Sequence, residues 1–172
     1  MIATPTMTGD VCHEYVTALV AMVADLNSRG VAVDLRFYPG CCYLELARNE
    51  LADQFMASDC DKLLFIDADI AGFMMISRDV FECLQIRFPA RQMKRRDGTT
   101  IWNYFPQGQE GQEWVGEDVR FCRMWAECGG DMWVIPDLNF AHVGRKAFFG
   151  NWHEYAQRLP GGHLGPALED AA

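Results

Sequence analysis

Four consecutive apolar residues, Leu63-Leu64-Phe65-Ile66, stop abruptly at Asp67-Ala68-Asp69. A run that is apolar at every position, rather than at alternate ones, suits a strand covered on both faces, as in parallel α/β sheets. Two carboxylates at the carboxyl end of such a strand stand where these folds bind their ligands. In extended chain Asp67 and Asp69 point to the same side, so both can reach one cation or its waters. The bland alternative is an Asp-rich turn after a core strand.

The residues ahead of this run divide into alternating periods. Ile2 to Thr4 reads as the end of a short strand, with a turn at Pro5. Asp10 is placed to cap a helix whose Val11, Tyr15, Leu19, Met22, Val23 and Leu26 share a face, and Gly30 stops it. Val31, Val33, Leu35 and Phe37 alternate with Ala32, Asp34 and Arg36, a strand ended by Pro39-Gly40. Leu44, Ala47, Leu51 and Phe55 mark a second helix, which carries Arg48 and Asn49. This β-α-β-α-β order predicts the α/β class, with a parallel sheet in a three-layer α/β/α arrangement.

The second half is less regular. Phe73 to Ile76 reads as another buried strand and 78–88 as a helix. Arg91 to Arg96 is a basic, solvated loop leading to the turn signal Asp97-Gly98, and 107–112 reads as a flexible loop. Glu117 to Glu127 is helical, with Val119, Cys122 and Ala126 on one side and Gly129-Gly130 as its stop. Met132 to Ile135 is a strand before Pro136. With no repeat or linker in view, 1–158 is expected to be one domain. An irregular tail over 159–172, rich in Gly and Pro, follows it.

Composition narrows the partners. The chain carries 15 Lys+Arg against 24 Asp+Glu, a formal charge of −9, which repels phosphate backbones and argues against nucleic acid. A small phosphate ligand remains open to it if a divalent cation and a few local Arg or Lys offset the field. Seven Cys without a CxxC spacing are read as small buried residues of a reducing compartment. No basic segment precedes an apolar run at the start, and the longest apolar stretch is broken by Asp67 and Asp69, so no membrane span is expected. The expected location is the cytoplasm.

Three further features could carry chemistry. Glu117 and Asp118 follow Gly116 just ahead of an apolar-faced helix. They are either favourable charges at the helix dipole or a catalytic carboxylate that takes a proton from an acceptor hydroxyl. His142, in Phe140-Ala141-His142-Val143-Gly144, is either a core histidine or a third ligand for a site that already holds two carboxylates. Arg48 is either a structural helix arginine or a partner for a phosphate or carboxylate. His13, His153 and His163 have no partner pattern.

Taken in order, Thr4-Pro5-Thr6, Leu46-Ala47-Arg48-Asn49, Phe65-Ile66-Asp67-Ala68-Asp69, Gly72-Phe73-Met74-Met75-Ile76, Gly116-Glu117-Asp118 and His142 resemble the GT-A-fold glycosyltransferases. The resemblance is closest to family 2-like and Anp1-like members and covers nearly the whole chain to about Phe149. It implies a GT-A-like mixed sheet and a nucleotide-sugar donor, UDP- or GDP-linked, whose sugar passes to an acceptor that could be a glycan. Asp67 and Asp69 would bind the Mn²⁺ or Mg²⁺ that bridges the donor's diphosphate, with His142 completing the metal shell. Thr4, Pro5 and Thr6 would line the nucleotide pocket, with Arg48 near the nucleotide. Glu117 and Asp118 would lie near the acceptor, Asp118 as general base of an inverting enzyme.

One departure from that pattern is shortening. Only Ile70 and Ala71 separate Asp69 from Gly72, where family members carry a longer segment with a further strand and part of the acceptor site. The gap is too short for a helical crossover. The flanking strands must form a tight antiparallel turn, extend apart, or swap with a partner chain. An exposed sheet edge or uncovered apolar face would follow, for which homodimerisation is one remedy. The alternative function is therefore a non-catalytic remnant of the fold that binds nucleotide or metal only. A haloacid-dehalogenase-type phosphatase also uses an aspartate pair after an apolar strand. It needs Thr or Val where this chain has Ala71, and its pair lies near the chain start.

Overall fold

The computed structural model describes residues 1–68, 73–137, 139–143 and 147–158. The chain divides into two units, Met1–Met132 and Trp133–Ala172. The first contains β1 (Ile2–Thr6), α1 (His13–Ser28), β2 (Leu35–Pro39), α2 (Leu44–Met56), β3 (Lys62–Ile66), β4 (Phe73–Ser77) and α3 (Arg78–Arg87). It continues through β5 (Gln92–Lys94), β6 (Thr100–Trp102), β7 (Gly108–Glu110), β8 (Glu113–Val115) and α4 (Glu117–Glu127). The second contains β9 (Asn139–Val143), β10 (Ala147–Asn151) and α5 (Trp152–Gln157).

The sheet of the first unit has the order β2-β1-β3-β4. β1 runs parallel to β2 and β3, and β4 runs antiparallel to β3, with Lys62 opposite Ser77 and Ile66 opposite Phe73. Of the three routes open to the shortened segment, the chain takes the tight antiparallel return. The sheet is accordingly mixed, not parallel throughout.

Alternation along the strands gives two faces. Met1, Ala3, Leu63, Phe65 and Ile76 join a large cluster with Leu51, Ala52 and Phe55 of α2, Val80, Phe81 and Leu84 of α3, and Phe121 and Met124 of α4. Ile2, Ile66 and partly buried Leu64 face α1, meeting Leu19, Tyr15, Met22, Val23 and Leu26. The layers are thus α1, the sheet, and α2 with α3 and α4. The large cluster is held by aromatic packing: Phe81 lies 5.6 Å from Phe55, 4.9 Å from Tyr104 and 6.0 Å from Phe121, ring centre to ring centre.

Local chemistry explains the element ends. Gly30 takes φ 77°, and the Gly30 and Val31 N–H groups bond the Asn27 and Leu26 carbonyls, closing α1 as the glycine signal predicts. Asp10 does not cap α1. The helix begins later, with Cys12 at the cap position, and the Asp10 N–H bonds the Thr8 hydroxyl in the preceding turn. Pro5 lies within β1, not in a turn after it. Its missing N–H falls on the β3 side, where pairing has already ended at Ala3–Phe65, so no ladder bond is lost. Arg78 joins α2 to α3: its guanidinium bonds the Phe55, Met56, Ser58 and Cys60 carbonyls, at 2.9, 3.1, 2.6 and 2.6 Å. These include carbonyls that the end of α2 leaves without helical partners.

Several other expectations change. β2 starts at Leu35 rather than Val31. β4 is an edge strand instead of a buried one: Phe73 and Met75 are 49% and 67% exposed, and only Ile76 is buried. The basic stretch is one arm of the β5–β6 hairpin, with Gly98 at φ 88° in its turn. Residues 107–112 belong to a second hairpin, β7–β8, turned at Gly111. α4 has the expected bounds, but it buries Phe121 and Met124, while Val119 is exposed. Gly130 follows it so closely under Trp125 that an added Cβ would meet the indole at 1.8 Å. Met132 to Ile135 forms no strand; β-forming residues become one only when their N–H and C=O groups find a partner. In the second unit β9 pairs antiparallel with β10, and the Asn151 side chain caps α5 by accepting from the Glu154 N–H at 3.2 Å. The tail over 159–172 lies outside the described residues, and no helix among them is long and apolar enough to cross a membrane.

Candidate functional site

The carboxyl ends of β1 and β3 gather a polar cluster that the core would otherwise exclude. Thr4 and Thr6 of β1 are both buried, as are Arg48 and Asn49 of α2. Each comes from an element whose apolar neighbours fix its position: Ala3 beside Thr4, and Ala47 and Leu51 around Arg48 and Asn49.

Arg48 is the hub. Its Nη1 donates to Glu117 Oε1 at 2.9 Å, and its Nη2 donates to Asp67 Oδ2 and Oδ1 at 3.2 and 3.3 Å. The three side chains are 8%, 14% and 15% exposed, so the pairs are largely withdrawn from water. The guanidinium also lies 5.8 Å over the Phe65 ring. A guanidinium buried this deeply is tolerated because two carboxylates face it. Among the described residues its Nε has no hydrogen-bond partner, nor do the buried Thr6 Oγ1 and Glu45 Oε2.

Two residues join the cluster that sequence reasoning missed. The Tyr15 hydroxyl, reaching in from α1, is hydrogen-bonded to Thr4 Oγ1. Burial, with a further contribution from the Asp67 charge, pushes the Tyr15 phenol up from its ordinary value. Glu45, one turn before Arg48 on α2, is pushed up by burial and by the Glu117 charge, against a hydrogen bond with Gln107 that lowers it. Tyr15 was legible as part of the buried face of α1, but nothing in the sequence announced that its hydroxyl would meet β1. Glu45 stands three residues before Arg48, a spacing that puts two side chains on one helix face.

Asn49 has a supporting role. Its Oδ1 accepts from the Tyr104 and Phe105 N–H groups at 2.8 and 3.0 Å, and its Nδ2 donates to Asn103 Oδ1 at 3.0 Å. This fastens the 103–105 segment to α2 beside Arg48.

The expected site residues thus fall into three groups. Arg48, Asp67 and Glu117 come together, Thr4 meets Tyr15 of α1, and Pro5 and buried Thr6 follow Thr4 in β1. Asp118 stands next to Glu117 but is exposed, and its Oδ1 accepts from the Val119 N–H at 2.7 Å, the bond of a helix-start carboxylate. Asp69 and the His142 side chain lie outside the described residues; the backbone at 142 belongs to β9 in the second unit. Among the described residues no three His, Cys, Asp or Glu side chains converge to hold a metal ion. The donors beside Asp67 are oxygen atoms of carboxylates and hydroxyls, a set suited to hard cations and not to soft ones. No family model matches the chain, and neither a characterised protein nor a solved structure matches it.

Proposed function

We propose that the chain is a glycosyltransferase that moves a sugar from a UDP- or GDP-sugar to an acceptor hydroxyl. The observation that carries this reading is the buried Arg48 held between Asp67 and Glu117 at the carboxyl ends of β1 and β3. That is where open α/β sheets bind ligands. The Thr6 hydroxyl, Arg48 Nε and Glu45 Oε2, unpartnered among the described residues, support it, because buried polar atoms without partners are costly unless something else satisfies them. The six motifs whose order resembles the GT-A enzymes suggest the reaction class, and this reading puts the reaction at the polar cluster.

In this reading Thr4, Pro5 and Thr6 border the nucleotide, and Arg48 sets the orientation of Asp67 and Glu117. Asp67 and Asp69 would hold Mn²⁺ or Mg²⁺. When bound, the cation would neutralise charge that develops on the departing diphosphate. Asp118 is the residue exposed enough to take a proton from an acceptor oxygen, with Glu117 beside it tied to Arg48.

A second reading, a remnant that binds nucleotide or metal without transfer, is favoured by the direct β3–β4 return, which leaves no extra strand for an acceptor. Calorimetric titration with UDP and GDP, with and without Mn²⁺, tests both. The expected result is Mn²⁺-dependent binding that Asp69→Asn weakens at least about 100-fold, some 2.7 kcal/mol. Asp118→Asn should leave that binding intact and abolish turnover of a nucleotide-sugar. Binding with no turnover by the wild type selects the remnant; no binding of either nucleotide sinks both readings.

A further inference from the structure

The Arg48 guanidinium is engaged unevenly. Nη1 holds Glu117 Oε1 at 2.9 Å, whereas Nη2 alone reaches both Asp67 oxygens, at the longer 3.2 and 3.3 Å. Nε has no hydrogen-bond partner among the described residues, although the side chain is only 8% exposed. Nε and Nη2 form the edge of a guanidinium whose two parallel N–H bonds match two oxygens of a carboxylate or phosphate. Here that edge is used at one nitrogen only.

A cation on Asp67 and the guanidinium compete for one carboxylate. Hard divalent cations bind oxygen at about 2.1 Å, so one seated on Oδ2 would stand no further than about 5.5 Å from Nη2. Like charges at that separation, in a site largely withdrawn from water, repel strongly. Arg48 need not leave the cluster to relieve this. Glu117 still holds Nη1, and a turn away from Asp67 presents the Nε–Nη2 edge to a new anion.

We infer that Arg48 is a counter-ion that Asp67 exchanges for the divalent cation, and that Arg48 then passes to the diphosphate arriving with it. The inference rests on the nucleotide-sugar reading above and adds how that site is regulated. Each charge keeps an opposite partner throughout: Asp67 moves from guanidinium to cation, and the Nε–Nη2 edge moves from carboxylate to phosphate oxygens. Cation and diphosphate therefore bind weakly alone and tightly together. With no diphosphate to receive it, Arg48 stays on Asp67 and keeps that carboxylate from collecting free cations.

The test follows free Mn²⁺ by its paramagnetic resonance signal, with the full chain alone and with UDP or GDP added. Arg48→Gln should bind Mn²⁺ alone about 10-fold more tightly than the wild type, and adding Asp67→Asn should remove that gain. Saturating nucleotide should tighten Mn²⁺ binding about 10-fold in the wild type and much less in Arg48→Gln. Arg48→Lys keeps the charge without the fork and should show a smaller gain in the same direction. It decides the matter if the glutamine variant does not fold. An arginine that only braces the site predicts the opposite sign, weaker Mn²⁺ binding once it is replaced. Unchanged or weaker Mn²⁺ binding in the Arg48 variants overturns the inference, even where Mn²⁺-dependent nucleotide binding persists and the glycosyltransferase reading survives. Equal Mn²⁺ affinity with and without bound nucleotide in the wild type overturns it as well. Tighter Mn²⁺ binding in the variants, with no nucleotide bound by any of the proteins, sinks the glycosyltransferase reading and leaves the competition between Arg48 and the cation standing.

Discussion

The two faces of the sheet are built very differently. One is packed by three helices and a network of aromatic rings, in which Phe55, Phe65, Phe81 and Phe105 are all fully buried. The other has a single helix, α1, over Ile2, Leu64 and Ile66, and only Ile2, Leu19 and Ile66 are buried in that cluster. Leu35, Phe37, Phe73 and Met75 remain exposed around these two clusters. The lesson is that an apolar strand records only its own willingness to be buried. Whether anything covers it depends on how many elements the rest of the chain supplies.

The contrast can be broken first at its thick side. Phe81→Ala removes a ring that touches Phe55, Tyr104 and Phe121, and should cost about 3–5 kcal/mol in urea unfolding. Leu19→Ala on the thin face should cost about 2 kcal/mol, the low end for a leucine, because the surrounding site is already open to water. Equal losses at the two positions would erase the distinction. Met75→Thr should change stability by less than about 0.5 kcal/mol, since its side chain is mostly in solvent.

The smallest effect tests the polar end of the thick face. Burial raises the folded-state pKa of Glu45 above its ordinary 4.5. The folded protein therefore binds the Glu45 proton more tightly than the unfolded one does, and stability falls as pH rises from 4.5 through the raised value. Glu45→Gln removes that loss. Its Tm should exceed that of the wild type at pH 7, and the gap should close below about pH 4. A gap independent of pH would mean that the carboxyl is not desolvated.

Much of this architecture was legible where one element's own pattern suffices. α2 follows its apolar period, α4 has the bounds expected from its sequence, and β3 ends at Ile66, just before Asp67, as the apolar run predicts. Arg48, Asp67 and Glu117 could be named from the order of motifs, although their mutual ion pairs could not. What failed depends on neighbours. The three-residue strands of β5–β6 and β7–β8 are too short to show a period, so only their turn glycines spoke for them. Met132 to Ile135 has strand composition but no strand partner among the described residues, and Val119 lies on a helix face that α4 turns outward in favour of Phe121. Tyr15 and Glu45 entered the site through contacts between elements, which no window of sequence contains.

The direct β3–β4 return also bears on how the sheet is assembled in time. Ile66 meets Phe73 across a short stretch of chain, whereas Ile2 must find Leu64 with α1, β2 and α2 lying between them. Closing a short loop costs less chain entropy than closing a long one, so the antiparallel pair is the sheet contact most accessible to an unfolded chain. β1, with the threonines of the polar cluster, completes its pairing with β3 through a far longer closure. The carboxylate of Asp67 thus follows the local half of the sheet, and the threonines of β1 arrive with the distant half.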